Sequence, residues 1–272
     1  MADLAEQLRA LHRTPPIFVL PNAWDAASAR LFVAEGFPAI ATTSAGVAAS
    51  LGYPDGGTVP AREMFEAVAR IARSVKVPVT ADIEHAYAAS PDAVADNVLR
   101  VIAAGAVGIN LEDYVPGATD LEPLGLQVDK IKAIIKAANK AGVRLVINAR
   151  TDGFLRALGP EEGRLGIAIE RGKAFLAAGA DCVFVPGVRD PDTIRALVTG
   201  IGGPVNVLAV AGTPSIAELE ALGVARVSVG SGPMRATLAL VRDIARELKS
   251  PGTYSAFTAK AMPFDDVNEL MT

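Results

Sequence analysis

The chain has 272 residues, 51% of them apolar and 21% charged, a balance that supports a full core and excludes a disordered polypeptide. A formal net charge of −4 gives no electrostatic reason to expect a nucleic acid partner. The lone cysteine, Cys182, excludes an intrachain disulfide and a multi-cysteine zinc site, and no run reaches the ~20 apolar residues of a membrane span, so a soluble, cytoplasmic protein is expected.

Residues 1–13 mix charges with Leu4, Leu8 and Leu11 at helical spacing, which predicts a surface helix and not a signal peptide. Beyond them, short apolar runs alternate with helical stretches. The predicted strands are 17–22, 39–44, 77–83, 108–113, 144–150, 182–187, 204–209 and 226–231. A glycine in a small-residue turn stands before five of them: Gly36, Gly105, Gly142, Gly179 and Gly223. Each predicts a helix closed by a left-handed cap. Gly105, Gly142 and Gly179 lie 37 residues apart, and Gly36 lies 69 before Gly105, the spacing of a repeated βα unit. Between strands, Val128, Ile131, Ile135 and Ala138 form a helical stripe, and Ser90-Pro91-Asp92 reads as a cap with a first-turn proline. Cys182 opens an apolar run and reads as core, not nucleophile.

Eight strands in a chain of this length predict a (β/α)8 TIM barrel, a fold of typically ~250 residues, as one domain over 1–272. Residues 250–272 form an additional C-terminal tail. Its Phe257, Met262, Phe264, Val267 and Leu270 are too apolar to stand exposed, which predicts that a partner subunit covers them, in a homodimer or homotetramer.

A barrel gathers its functional groups at the carboxyl ends of its strands. Asp82 and Glu84 end the third predicted strand two residues apart and leave it on the same side. Glu112 closes the next strand. Three strand-end acids converging on one point predict a site for a hard cation, Mg²⁺ with Mn²⁺ as the alternative. Any one of them alone would equally cap a helix or sit solvated. Arg150 ends the fifth strand, either as a fork for a substrate carboxylate or in a structural ion pair with these acids. Thr43-Ser44-Ala45-Gly46 is a small-residue turn whose amides can approach an oxyanion, and Asn206 is counted among the substrate-binding groups at the strand ends. A metal, an arginine and an amide nest in one mouth would stabilise the enolate of a small 2-oxo acid. Two other readings stand beside this. One is a non-catalytic barrel that binds a small acid; the other is a sugar-phosphate enzyme whose phosphate sits on Gly230-Ser231-Gly232 before a helix.

Five ordered motifs carry a resemblance. They are 21–29 (Pro21-Asn22-Ala23-Trp24-Asp25 onward), Thr42-Thr43-Ser44 with Ser50 to Asp55, Asp82-Ile83-Glu84, Asn110-Leu111-Glu112-Asp113 and Asn148-Ala149-Arg150-Thr151-Asp152. Together they resemble the isocitrate lyase/phosphoenolpyruvate mutase superfamily over roughly residues 17–231. The resemblance implies a Mg²⁺-dependent barrel acting on 2-oxo acids, 2-hydroxy tricarboxylates or phosphonates through an enolate. It implies that Asp82 ligates the metal while Glu84 and Glu112 hold metal-bound waters. The Thr43–Ala45 turn and Arg150 would bind the substrate carboxylate and enolate oxygen, and Asp55 would sit at the gate. It also implies that the last helix is swapped between subunits.

Departures from the family pattern bear on the reaction. The lyases carry Lys-x-Cys-Gly-His after the fourth strand and the phosphonate enzymes place Lys and Asn there. This chain has no Cys, Lys, Arg or His from Tyr114 to Leu126, and adds Asp120 and Glu122. Ala41 replaces an aromatic residue, and His85-Ala86-Tyr87-Ala88 lacks the expected glycines. His85 reads as a solvent-facing loop histidine, with an acid/base role as the alternative. Decarboxylation asks least of the missing loop groups. The expected function is therefore C–C cleavage of a small 2-oxo acid, oxaloacetate decarboxylase-like first and methylisocitrate lyase-like second. The alternative is P–C chemistry of the phosphoenolpyruvate mutase, carboxyphosphonoenolpyruvate mutase or phosphonopyruvate hydrolase kind.

Overall fold

The computed structural model describes residues 1–13 and 15–272. Nine parallel strand segments form one sheet: β1 (Phe18–Leu20), β2 (Asn22–Ala23), β3 (Ile40–Thr42), β4 (Val79–Asp82), β5 (Gly108–Glu112), β6 (Val146–Arg150), β7 (Cys182–Phe184), β8 (Val205–Leu208) and β9 (Arg226–Ser228). β1 and β2 are halves of the predicted first strand, broken at Pro21, which has no N–H to give the ladder. β1 pairs with β9 and β2 with β3, so this strand joins the two edges and the sheet curls into the expected (β/α)8 barrel. The strands are shorter than the sequence suggests because their last residues turn away into the loops of the barrel mouth. Thr43 and Ser44, for example, are the N-cap and first residue of the helix Ser44–Leu51.

The predicted helix ends are present. Gly36, Gly105, Gly142, Gly179 and Gly223 take φ values of 88°, 104°, 76°, 107° and 84°, a conformation that costs a residue with a Cβ. Ser90 caps the helix Pro91–Ala103 by accepting the Ala93 amide. The helix Leu124–Lys140 buries Gln127, Lys130, Ile131, Ile134 and Ala138, a face rotated from the predicted stripe, with Val128 and Ile135 only partly covered. Cys182 is fully buried, as expected of a core residue.

The first helix is present where the leucine spacing places it. Ala2–Ala10 is the expected surface helix, with Ala2, Asp3, Glu6, Gln7 and Ala10 exposed, but its other face goes deeper than a surface helix needs: Ala5 and Leu8 are fully buried and close the amino-terminal end of the barrel. Leu8 approaches so near that a Cβ on Gly108 would lie 2.7 Å from its Cδ2, which is why β5 starts with glycine. His12 follows Leu8 into the floor, donating from Nδ1 to the Leu8 carbonyl at 2.8 Å and facing Arg226 through Nε2.

The helix Gly232–Lys249 leads into the tail, which holds two short helices, Ser255–Thr258 and Phe264–Leu270. The Glu247 carboxylate accepts the Ser255 and Ala256 amides at 2.9 and 2.6 Å and fixes the turn between them. The last helix lies on Ala26–Ala34 of the same chain, where Arg30 donates to the Leu270 carbonyl. Among the described residues, no helix is long and apolar enough to cross a membrane.

Candidate active site

The carboxyl ends of the strands surround a cavity of about 140 Å³. That is small beside the ~300–1,000 Å³ of drug-sized sites, and fits a small acid. Thr43, Ser44, Ala45, Asp55, Asp82, Glu84, Glu112 and Arg150 all line it, so eight of the nine residues singled out from sequence meet in one place. Asn206 does not. It is fully buried a layer below and exchanges hydrogen bonds with Ser228, while Leu208, two residues further along β8, reaches the cavity.

Asp82 ends β4 with its two oxygens in different states. Oδ2 accepts the Ser44 amide at 3.0 Å and the Ser44 hydroxyl at 2.9 Å. Oδ1 is buried with no hydrogen-bond partner, a costly arrangement for a carboxylate unless a ligand completes it. Glu84 accepts from the Tyr87 hydroxyl at 3.0 Å. Burial, and then the charge of Asp82, push the Glu84 carboxyl up to about 7. Burial also raises Glu112 well above the carboxylate range against the pull of Arg150, with Asp152, Asp82 and Glu84 adding to the rise. Three acids that repel one another's charge, beside an open oxygen on Asp82, form a hard-oxygen donor set suited to Mg²⁺. Among the described residues, no three His, Cys, Asp or Glu groups close on a single point as direct ligands. The open Oδ1 of Asp82, with Glu84 and Glu112 lining the same cavity, is the point in this set at which a cation fits.

Arg150 satisfies both sequence readings in part. Its Nη1 lies 2.6 Å from Glu112 and its Nη2 2.7 Å from Asp152, while its guanidinium packs 5.6 Å from the Phe184 ring centroid. Burial disfavours its charge, but Glu112 and Asp152 outweigh that and hold it protonated. It is an ion-paired arginine that still faces the cavity. In the turn, the Ser44 amide is committed to Asp82, and Gly46 donates to Thr43 Oγ1. The amide left for an oxyanion is that of Ala45, at the start of the helix Ser44–Leu51.

Near Gly230 the amides are already used: Val229 and Gly230 both donate to Asn22 Oδ1 at 2.9 Å. Gly230 and Ser231 line the same cavity as Asp82, so an anion at this turn would share that cavity. His85 is half-buried and not solvent-facing. Its ring centroid lies 5.7 Å from that of Tyr87, it is outside the cavity lining, and burial lowers its pKa. The glycine-poor run around it still takes the left-handed shape glycine would favour, with φ of 54° at Glu84, 61° at Ala86 and 55° at Tyr87.

From Tyr114 to Gln127, Pro116 is the one residue that lines the cavity. Beyond it, Glu122 pairs with buried Lys130 at 2.5 Å, and Arg171 bonds both the Glu122 carbonyl and Asp113. The charged lining residue that the sequence motifs do not mark is Arg156, on the loop after β6. A lone arginine in a short, largely apolar loop (Gly153-Phe154-Leu155-Arg156-Ala157-Leu158) carries no periodicity or motif to mark it.

A model of the phosphoenolpyruvate phosphomutase family matches residues 8–249. The chain belongs to this family. It is thereby a member of the isocitrate lyase/phosphoenolpyruvate mutase superfamily, whose enzymes are lyases and phosphonomutases. An uncharacterized Mycobacterium tuberculosis protein is 42% identical over 237 residues, covering 87% of this chain and 86% of its own. Oxaloacetate decarboxylase of Chromohalobacter salexigens is 31% identical, covering 90% and 85%. The crystal structure of a Burkholderia cenocepacia protein, 38% identical, matches 98% of this chain and 95% of its own with a TM-score of 0.91.

Proposed function

We propose that this member of the family is a Mg²⁺-dependent carbon–carbon lyase of a small 2-oxo acid, with oxaloacetate-like decarboxylation ahead of methylisocitrate-type lysis. The observation that carries the reading is the composition of the cavity. It joins an acid with an open oxygen, a free helix-start amide and an arginine, and takes nothing from the loop after β5 except Pro116. Likeness to oxaloacetate decarboxylase supports it, as does the phosphonopyruvate hydrolase structure with oxalate and Mg²⁺, which is 27% identical with a TM-score of 0.86.

Asp82 would hold the metal directly, with Glu84 and Glu112 behind its waters; bound there, Mg²⁺ supplies Lewis acidity toward the carboxylate and carbonyl of a 2-oxo acid. Ala45 N–H and the Arg150 guanidinium donate toward the oxygen on which negative charge grows as the C–C bond breaks. The bonding pair passes to the carbon next to the carbonyl, carbon dioxide leaves, and a proton from solvent completes the product. Such a step needs no acid or base at the leaving group. Retro-aldol cleavage needs one, and the loop presents none. Asp55, exposed at the rim, would act at the gate.

P–C chemistry is the second reading, because Arg156 brings to the cavity a cation that the loop itself lacks. A Mg²⁺-dependent panel over oxaloacetate, 2-methylisocitrate and phosphonopyruvate tests the order. Carbon dioxide release from oxaloacetate is expected. Rapid P–C cleavage without oxaloacetate turnover would reverse it. The proposal extends to a cytoplasmic homodimer or homotetramer, with the tail covered by a second copy.

A further inference from the structure

Arg150 is tied to Glu112 and Asp152. The other guanidinium lining the cavity, Arg156, has no ion-pair or hydrogen-bond partner for its side chain among the described residues. Its guanidinium carbon sits 4.7 Å from the centroid of the Tyr114 ring, on the loop that follows β5. The backbone that carries it is pinned. Its own amide donates to the Asp152 carbonyl at 2.9 Å, and Arg164 donates to the carbonyls of Ala157, Leu158 and Gly159. A fixed backbone, a guanidinium resting over an aromatic ring and five unclaimed N–H donors at a cavity wall make a receptor for a planar anion.

We infer that Arg156 is a substrate-binding residue: before the carbon–carbon bond breaks, it receives the distal carboxylate of a 2-oxo dicarboxylate whose other end lies at Asp82 and Ala45. This rests on the reading of the cavity as a Mg²⁺-dependent 2-oxo acid site. The contact with the Tyr114 ring uses none of the hydrogen-bonding N–H groups, so the exposed Arg156 side chain keeps its donors for a carboxylate while the ring holds it. A mono-acid of the same length would leave these donors in water and gain nothing from them. In oxaloacetate that distal carboxylate is the group that leaves as carbon dioxide, so the contact strengthens binding of the acid and is given up as the bond breaks.

Calorimetry with Mg²⁺ present separates the parts. Oxalate has no distal group, whereas 3,3-difluorooxaloacetate, an inhibitor seen bound in oxaloacetate acetylhydrolase, has one. Arg156→Ala is expected to weaken difluorooxaloacetate about tenfold or more and oxalate less than twofold, with Arg156→Lys restoring part of the loss. Tyr114→Leu should weaken the same ligand a few-fold through loss of the ring contact. Equal losses for both ligands, or none for either, would overturn the role of Arg156 while leaving the metal site standing. A wild-type protein that binds neither ligand would overturn the site reading and this inference with it. The binding comparison reads out even if no acid is turned over.

Discussion

Asp82 does two things with one carboxylate, and the division shows how much of its surroundings a sequence can convey. Its place at a strand end, two residues before a second acid, was visible as a pattern. That Ser44 would occupy Oδ2 and leave Oδ1 bare was not, because the contact joins residues 38 apart. The same holds for Arg156, whose significance comes from Tyr114 beside it and not from its neighbours in the chain. Asn206 shows the converse: a polar residue in a strand reads as a mouth residue in sequence, although Ser228 satisfies it inside the barrel. Asp82→Asn keeps an acceptor for Ser44 but removes the charge that a hard cation needs. It is expected to weaken Mg²⁺ binding by ~100-fold or more while changing unfolding free energy by no more than about 1 kcal/mol. Mg²⁺ titration calorimetry and urea melts of the same sample check both halves. Unchanged Mg²⁺ affinity would remove Asp82 from the metal site.

At the level of the element, the helix Leu124–Lys140 explains why apolar periodicity found it but misplaced its face. Two polar residues, Gln127 and Lys130, sit on the buried side. Gln127 donates to the Glu112 carbonyl at 3.0 Å, behind one of the site acids, and Lys130 holds Glu122 at the end of the loop after β5. A hydrophobic stripe counts neither, so the predicted face drifted toward Val128 and Ile135. Glycine caps, by contrast, were legible because a left-handed turn is a local demand met by one residue type. Lys130 is completely buried and Glu122 nearly so, and removing one member of such a pair strands the other. Lys130→Ala should therefore cost about 3–5 kcal/mol in denaturant unfolding. A loss below about 1 kcal/mol would mean that the pair is effectively solvated, as exposed pairs are.

For the whole molecule, the barrel was readable because it is a repeat, whereas the tail and the floor are single events. Leu238, Leu240 and Val241 on the helix Gly232–Lys249 stand about half exposed, and Phe264 in the tail is 79% exposed. A second copy covering them predicts a dimer or tetramer in light scattering at micromolar concentration; a monomer would contradict it. The floor makes a different demand. His12, read from sequence as part of a surface helix, is buried against Arg226, with Arg9 near, the Leu8 carbonyl on Nδ1 and the Phe18 ring against its edge. Burial first, and then Arg226, pull its pKa down to about 3, from 6.5 for the ordinary side chain. Between those values the unfolded chain takes up a proton that the folded chain refuses. The contribution of His12 to stability is thus complete above pH 6.5 and is lost as pH falls toward 3, at a limiting slope of about 1.4 kcal/mol per pH unit. Other groups titrate in the same window, so the quantity to measure is the difference between the wild type and His12→Gln, which keeps a donor for Leu8 and has no charge to gain. Unfolding free energies of the two should run parallel at pH 7–8 and converge or cross as pH falls from 6 to 4.5, because only in the wild type does unfolding release a histidine that takes up a proton. Profiles that stay parallel down to pH 4.5 would show that His12 titrates normally, and that the barrel floor is open to water.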